Sequence, residues 1–211
     1  MSSKIYKNIY LNDYFTIVGP LEKESHLKKF DLSMDDYYFK EKTFEKAEIK
    51  MQKTVIDNIL SKNGLKSNDI GMFVGGDLTN QIAVTNYAVK DYGIPLIGLY
   101  AACATFVESL IVGSNFLDNG SIKRVISIIS SHNLTAERQF RYPVEYGAPK
   151  RKTTTVTATA SASILISNVK SNIKITSATI GEVKNGGIKD VYNMGGVMSI
   201  SAFSTIEKHL K

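Results

Sequence analysis

The sequence is poor in the residues that usually announce a site: 211 residues contain one cysteine, three histidines and no tryptophan. A single thiol, Cys103, excludes an internal disulfide, which fits a reducing compartment and leaves packing or chemistry to account for it. His26, His132 and His209 are scattered, so the ligand spacing of a structural zinc is absent and no metal is expected. No stretch approaches the roughly 20 apolar residues that cross a bilayer, and Met1 to Lys7 lacks the apolar run of a secretory signal. The expected location is therefore inside the cell. Neither sign of charge dominates strongly: 26 Lys and Arg against 20 Asp and Glu leave a net charge of +6. That balance is open to nucleic acid, an anionic membrane surface or an acidic small molecule. The lysines are spread over solvated faces and only Lys150-Arg151-Lys152 forms a compact run, so no nucleic-acid partner is expected.

What is present is the composition of a globular chain, 43% hydrophobic and 22% charged. At this length a domain hides roughly 70% of the surface its unfolded form exposes. Phe15, Ile17 and Val18 make Tyr14 to Gly19 a strand stopped by Gly19-Pro20, and the stretch to Lys40 reads as irregular. Phe44, Ala47, Met51, Val55 and Ile59 recur every three or four residues, predicting an amphipathic helix over Thr43 to Lys62 that ends at Asn63-Gly64. A strand over Ile70 to Gly75, a helix over Thr79 to Tyr92 and a strand over Leu96 to Tyr100 follow. A helix marked by Phe106, Leu110, Ile111 and Phe116 and a buried strand over Val125 to Ile129 continue the alternation. This predicts right-handed βαβ crossovers and a largely parallel sheet covered on both faces. The polar segment Ser131 to Lys152 is long enough to be a functional loop. Strands over Thr153 to Ser167 and Ile173 to Glu182 and a helix over Ser199 to Leu210 complete the reading.

Cys103 stands where the buried strand turns into a helix, in Ala101-Ala102-Cys103-Ala104-Thr105. Backbone N–H groups and the positive end of the helix dipole at such a place favour a thiolate nucleophile. A small buried apolar residue is the competing reading. The loop after the next strand carries Ser131-His132-Asn133 and Glu137-Arg138-Gln139-Phe140-Arg141-Tyr142-Pro143. In parallel α/β sheets ligands bind outside the carboxyl ends of strands, so this loop and Cys103 are expected to face one crevice. Arg138 and Arg141 share a face if the segment is helical and suit a ligand with two carboxylates, with Phe140 or Tyr142 stacking on a planar ring. They equally suit anchoring of the loop or of a dimer interface through Glu137 and Glu145. His132 is a candidate acid/base or a hydrogen-bonded structural residue. Gly75-Gly76-Asp77-Leu78-Thr79-Asn80-Gln81 lacks the full GxGxxG spacing, so dinucleotide is not expected, and Asp77 or Thr79 also reads as a helix N-cap.

Several segments together resemble the thiolase-fold proteins of the stage V sporulation protein AD (SpoVAD) type. They are Gly76-Asp77-Leu78 with Asn80-Gln81, Ala102-Cys103-Ala104-Thr105, Ser131-His132-Asn133, and the string Thr135 through Glu145, broken only at Val144. Ile175 to Gly181, Gly187 to Asp190 and Asn193-Met194-Gly195 extend the match. The resemblance implies an α/β, thiolase-like fold, with a first βαβαβαββ half over 1–170 and the start of a second half over 171–211. It implies a non-enzymatic sporulation protein that binds dipicolinic acid, a planar dicarboxylate, and supports its uptake into the developing spore within the SpoVA complex. Other SpoVA proteins and a second copy of the chain are the expected partners, cofactors are none, and the implied location is cytoplasmic, peripheral to the spore inner membrane. Candidate ligand-binding residues are Cys103, His132, Glu137, Arg138, Arg141, Tyr142, Asp77 and Asn80. The alternatives are a thiolase-like acyltransferase with Cys103 as acyl acceptor, and an interaction subunit without ligand. The resemblance places the chain's end near the first helix of the second half, so thiolysis or condensation by this chain alone is not expected, and bare apolar surface is.

Overall fold

The structure, a computed structural model, describes residues 2–27, 29–137, 156–187, 189–190 and 193–211. Its elements are β1 (Ser2–Ile5), β2 (Tyr10–Val18), α1 (Pro20–Lys23), β3 (Leu32–Ser33), α2 (Phe44–Lys62), β4 (Met72–Gly76), α3 (Ala83–Val89) and β5 (Leu96–Gly98). They continue with α4 (Thr105–Asp118), β6 (Arg124–Ser131), β7 (Ala160–Ser167), β8 (Ile173–Lys174), β9 (Ser177–Ile180) and α5 (Met194–Leu210). Taken without the short pieces, β2, α2, β4, α3, β5, α4, β6 and β7 give the expected βαβαβαββ order.

The helix α2 shows why the local reading works. Thr43 is extended and its hydroxyl accepts the Lys46 N–H at 3.3 Å, which satisfies one of the donors a helix start leaves open. Gly64 then turns left-handed (φ +62), and the Leu65 N–H returns to the Leu60 carbonyl at 2.9 Å.

Among the described residues the main sheet has seven strands, in the order β3-β2-β7-β6-β4-β5 with β8 beside β2. It is mixed rather than largely parallel: β4 pairs parallel with β5 and β6, whereas β7 runs antiparallel between β6 and β2.

Side-chain alternation divides the core into two layers. Phe73, Ile126, Ile128 and Leu165 point toward α2 and pack with Ile56, Ile59 and Leu60. Their neighbours Met72, Val74, Val125, Ile164 and Ile166 point the other way and pack against Phe106, Leu110 and Leu117 of α4. A fully buried Phe73 or Ile126 contributes about 1.5–3 kcal/mol by leaving water.

Several boundaries differ from the sequence reading: β2 starts at Tyr10 rather than Tyr14, β5 ends at Gly98 rather than Tyr100, and β6 ends at Ser131 rather than Ile129. The helix over Thr79 to Tyr92 shrinks to α3 behind a 3-10 turn, Asn80–Ile82, in which Gln81 and Ile82 are left-handed. β7 starts at Ala160 rather than Thr153, α5 starts at Met194 rather than Ser199, and the 173–182 strand splits in two. The split follows from pairing: β8 lies against β2, while β9 pairs with β1 at the edge of a separate two-stranded sheet. These pairings cross the division drawn at residue 170.

Candidate functional site

Because β4, β5 and β6 are parallel neighbours, the segments that leave their carboxyl ends share one edge of the sheet. Two glycines bring these strands close there. A Cβ on Gly75 would lie 1.7 Å from the Ile128 carbonyl oxygen, and one on Gly76 would lie 2.0 Å from that of Leu99. Ile82, left-handed at φ 49, lays its side chain over Gly76 and Gly98, which holds the start of α3 against the ends of β4 and β5. A β-branched residue in that conformation is strained and persists only where packing enforces it.

On the α4 side of this edge lies the Cys103 segment. Ala102 to Ala104 form a 3-10 turn with Ala102 left-handed at φ 49, and the Cys103 side chain is exposed. The Ala101 N–H donates to Thr105 Oγ1 at 3.0 Å, and Ala104, the N-cap of the 14-residue α4, offers no side-chain cap. The Ala104 and Thr105 N–H groups donate instead to the Ala101 and Ala102 carbonyls of the preceding turn. The Glu137 N–H donates to the Leu78 carbonyl at 2.7 Å, which draws the end of the β6 loop to the β4 loop. Partial burial, then the carboxylates of Glu137 and Asp77, raise the Tyr100 phenol above its ordinary value, so Glu137 lies within electrostatic reach of the strand that leads to Cys103. Asn80 is exposed at the same edge.

His132 lies on the other face. Along β6, Ile126, Ile128 and Ser130 point to α2, and position 132 continues that parity. Its ring is wholly buried between Tyr37 and Phe44, with centroids at 5.9 and 5.2 Å. Nε2–H donates to the Tyr37 carbonyl at 2.9 Å and Nδ1 accepts the Leu134 N–H at 3.1 Å, a pairing that requires the neutral imidazole. Burial lowers its pKa further. The His132 ring is thus turned toward α2, with both nitrogens bonded to Tyr37 and Leu134, while the Cys103 side chain is exposed.

Asp77 is likewise turned inward. It is 2% exposed and accepts the N–H and hydroxyl of both Thr79 and Thr85, so its lone pairs are occupied. Sequence reasoning missed the group behind it. Glu48 is 1% exposed on α2 and accepts the hydroxyls of Ser130 (2.6 Å) and Thr135. Gln52, one turn on, donates to Ser130 at 2.7 Å and to Thr85 at 2.9 Å. One signal was available: Glu48 and Gln52 interrupt the apolar stripe of α2 beside Ala47 and Met51. Arg138, Arg141 and Tyr142 lie outside the described residues. No group of three metal-ligating side chains occurs among the described residues.

The profile of the stage V sporulation protein AD (SpoVAD) family matches residues 1–211. The chain belongs to the stage V sporulation protein AD family. Stage V sporulation protein AD of Bacillus subtilis (strain 168) is 41% identical over 204 residues, which is 96% of this chain and 60% of that protein. The chain thus spans about 60% of the length of the curated relative it matches. Among solved structures it is similar to 3-oxoacyl-(acyl carrier protein) synthase III of Xanthomonas oryzae, with TM-score 0.51 and 9% identity over 78% of this chain and 57% of that one. It is also similar to an OleA variant of Xanthomonas campestris, with TM-score 0.51 and 10% identity over 77% of this chain and 58% of that one. These likenesses show a thiolase-like fold. No helix among the described residues is long and apolar enough to cross a membrane.

Proposed function

We propose that this SpoVAD-family chain is a non-enzymatic sporulation protein that binds dipicolinic acid and supports its uptake into the developing spore within the SpoVA complex. The observation that carries the non-enzymatic reading is the engagement of the candidate base. A nucleophile needs its base within about 3 Å with a ring nitrogen to offer, and buried His132 has both nitrogens bonded to the backbone of Tyr37 and Leu134. The ligand would lie on the Cys103 side, at the edge that also carries the exposed Asn80 and the Glu137 end of the β6 loop. Arg138, Arg141 and Tyr142, which follow Glu137 directly, would grip two carboxylates and stack on the ring. In this reading His132 and Asp77 shape the loops from behind rather than touch the ligand.

We also propose that residues 1–170 form the first thiolase-like half and 171–211 the start of the second. A second copy, the other SpoVA proteins and a peripheral position at the spore inner membrane belong to the same proposal. Calorimetry with dipicolinate on the full chain and on Arg138→Ala tests the binding: heat of binding in the first and its loss in the second are expected. No heat in either refutes it and favours an interaction subunit without ligand, a reading that the exposed apolar residues of α5 support. An acyltransferase is the reading suggested by the synthase among the structural neighbours. Stable acylation of Cys103 by an acyl-thioester probe, seen by mass spectrometry, would establish it against ours.

A further inference from the structure

The edge of the sheet opposite the Cys103 segment gathers cations. There the amino ends of β2, β4 and β6 lie beside the carboxyl end of β7. Tyr10 of β2 pairs with Ser167 of β7 and with Lys174 of β8, and Ser167 pairs in turn with Arg124 of β6. The Gly71 N–H donates to the Arg124 carbonyl at 2.9 Å, which brings the start of β4 and, through the turn Ser67–Asp69, Lys66 to the same edge. The loop between β7 and β8 is tied down beside the start of β2: Asn168 Nδ2–H donates to the Asn8 carbonyl at 2.9 Å, Asn12 Nδ2–H to the Val169 carbonyl at 2.8 Å, and the Ser171 hydroxyl to the Leu11 carbonyl. Lys7, one residue before Asn8, and Lys170, one residue after Val169, therefore share this corner of the edge with Lys174.

Lys7, Lys66, Lys123, Lys170 and Lys174 are exposed and Arg124 is half-buried. None of the six forms an ion pair among the described residues. The carboxylates in the segments that build this edge are Asp13, Asp69 and Asp118, and each is held elsewhere: Asp13 by Lys62 and Asn63, Asp69 by the Lys66 N–H, and Asp118 by Lys4. The edge is thus a row of uncompensated positive charge that an anionic surface would neutralise. Val169 and Ile173, each followed directly by a lysine, are 59% and 54% exposed. Aliphatic side chains beside lysines suit a bilayer surface, where the apolar groups enter the interface and the ammonium groups stay at the headgroups. Nucleic acid is better served by guanidinium forks and stacking rings. This edge has one guanidinium, half-buried, and the exposed ring of Tyr14 already carries the Lys62 ammonium at 5.8 Å from its centroid.

We infer that this edge is a docking surface for an anionic phospholipid bilayer, with the six cations at the headgroups and Val169 and Ile173 in the interface. The inference deepens the proposed peripheral position at the membrane and rests on it. The eight residues of β6 separate this edge from the Cys103 end by about 23 Å. A chain docked in this way points the candidate ligand site away from the bilayer, so lipid and dipicolinate do not compete.

The test is co-sedimentation of the full chain with vesicles of phosphatidylglycerol and phosphatidylcholine in equal parts, and with vesicles of phosphatidylcholine alone. The mixed vesicles should carry the chain down at about 0.1 M salt and release most of it at about 1 M, and the neutral ones should leave it in solution. Lys7→Glu combined with Lys170→Glu and Lys174→Glu should weaken binding on the order of a hundredfold. Val169→Ser with Ile173→Ser should weaken it about tenfold. Lys42→Glu combined with Lys46→Glu and Lys90→Glu changes the net charge equally on side chains exposed elsewhere and should weaken it by less than about threefold. No sedimentation with the mixed vesicles, or equal losses in the two lysine triples, overturns the inference. Release of the bound chain by a DNA duplex at equal phosphate concentration overturns it in favour of a nucleic-acid surface. Dipicolinate calorimetry on the same samples separates the two readings. Absent heat in the wild type with the expected vesicle pattern defeats the dipicolinate function alone, and normal heat without vesicle binding defeats the docking edge alone.

Discussion

Two buried groups on the α2 face pull the pH dependence of folding in opposite directions, and the structure says in which window each acts. Glu48 is raised in the fold to about 8 from an ordinary 4.5, so the folded state binds more protons than the unfolded chain between those values. Its contribution to stability is full below pH 4.5 and is lost as pH rises to 8, at about 1.4 kcal/mol per unit. His132 is lowered by burial, so the unfolded chain binds more protons below about pH 6.5, and stability is lost there as pH falls, by up to about 1.4 kcal/mol per unit. The carboxylates of Asp13, Asp35, Asp91, Glu182 and Glu207, all held below their ordinary values, act only at lower pH. The wild type should therefore lose about 2 kcal/mol from pH 6.5 to 8, while below 6.5 the His132 slope offsets that of Glu48. Glu48→Gln should be level from 6.5 to 8 and lose up to about 2 kcal/mol from 6.5 down to 5, whereas His132→Gln should decline by about 4 kcal/mol from pH 5 to 8. Urea unfolding followed by circular dichroism resolves such changes, since about 2 kcal/mol moves the midpoint by roughly 1 M. Offsets between variants are irrelevant; the slopes decide. A Glu48→Gln curve that runs parallel to the wild type between pH 6.5 and 8 would refute the reasoning.

Three further outcomes are expected. Gly75→Ala should cost more than about 4 kcal/mol and leave little soluble protein on expression, because its Cβ would sit 1.7 Å from the Ile128 carbonyl at φ +152; near-normal yield and melting would contradict the close strand approach. Alkylation of Cys103 by iodoacetamide at pH 7 should change by less than about twofold in His132→Gln, whereas a thiol activated by that imidazole would slow by tenfold or more. Phe203 and Ile206 are 72% and 57% exposed on α5, so Phe203→Lys with Ile206→Lys should raise the concentration at which the chain self-associates by about tenfold in light scattering; an unchanged profile would show that this face is not the sticky one.

The order βαβαβαββ was legible because each element carries a local signal: Thr43 and Asn63-Gly64 bracket α2, and the β-branched run from Val125 marks β6. The direction of β7 was not, since periodicity marks a strand but not the direction of the neighbour it pairs with. The short α3 was hidden for a similar reason. Asp77 captures the N–H groups of Thr79 and Thr85, and the chain turns left-handed at Gln81 and Ile82 to seat Ile82 on two glycines, a tertiary demand that overrides helix propensity. At the site, shared strand ends were foreseeable from topology, but the face was not, because a side chain's face depends on strand register. β6 extends to Ser131, two residues beyond the predicted end, and its parity carries His132 to the α2 side.

That parity gives the sheet edge two unlike surfaces a few residues apart. Toward α4 it is open, with the exposed thiol and the end of the β6 loop. Toward α2 it is closed, with Glu48, Gln52, Asp77 and His132 buried in one polar layer. The loop from His132 to Glu137 belongs to both, since its hydroxyl and carbonyl groups are held on the closed side while its far end passes to the open one. A ligand on the open side would then draw part of its affinity from order maintained on the closed side. Substitutions at Glu48 should accordingly change dipicolinate affinity without touching the ligand, whereas substitutions at Cys103 should act by contact alone and leave amide hydrogen exchange of the loop unchanged. An equal effect of both on exchange over residues 133–137 would show that the two surfaces are not mechanically distinct.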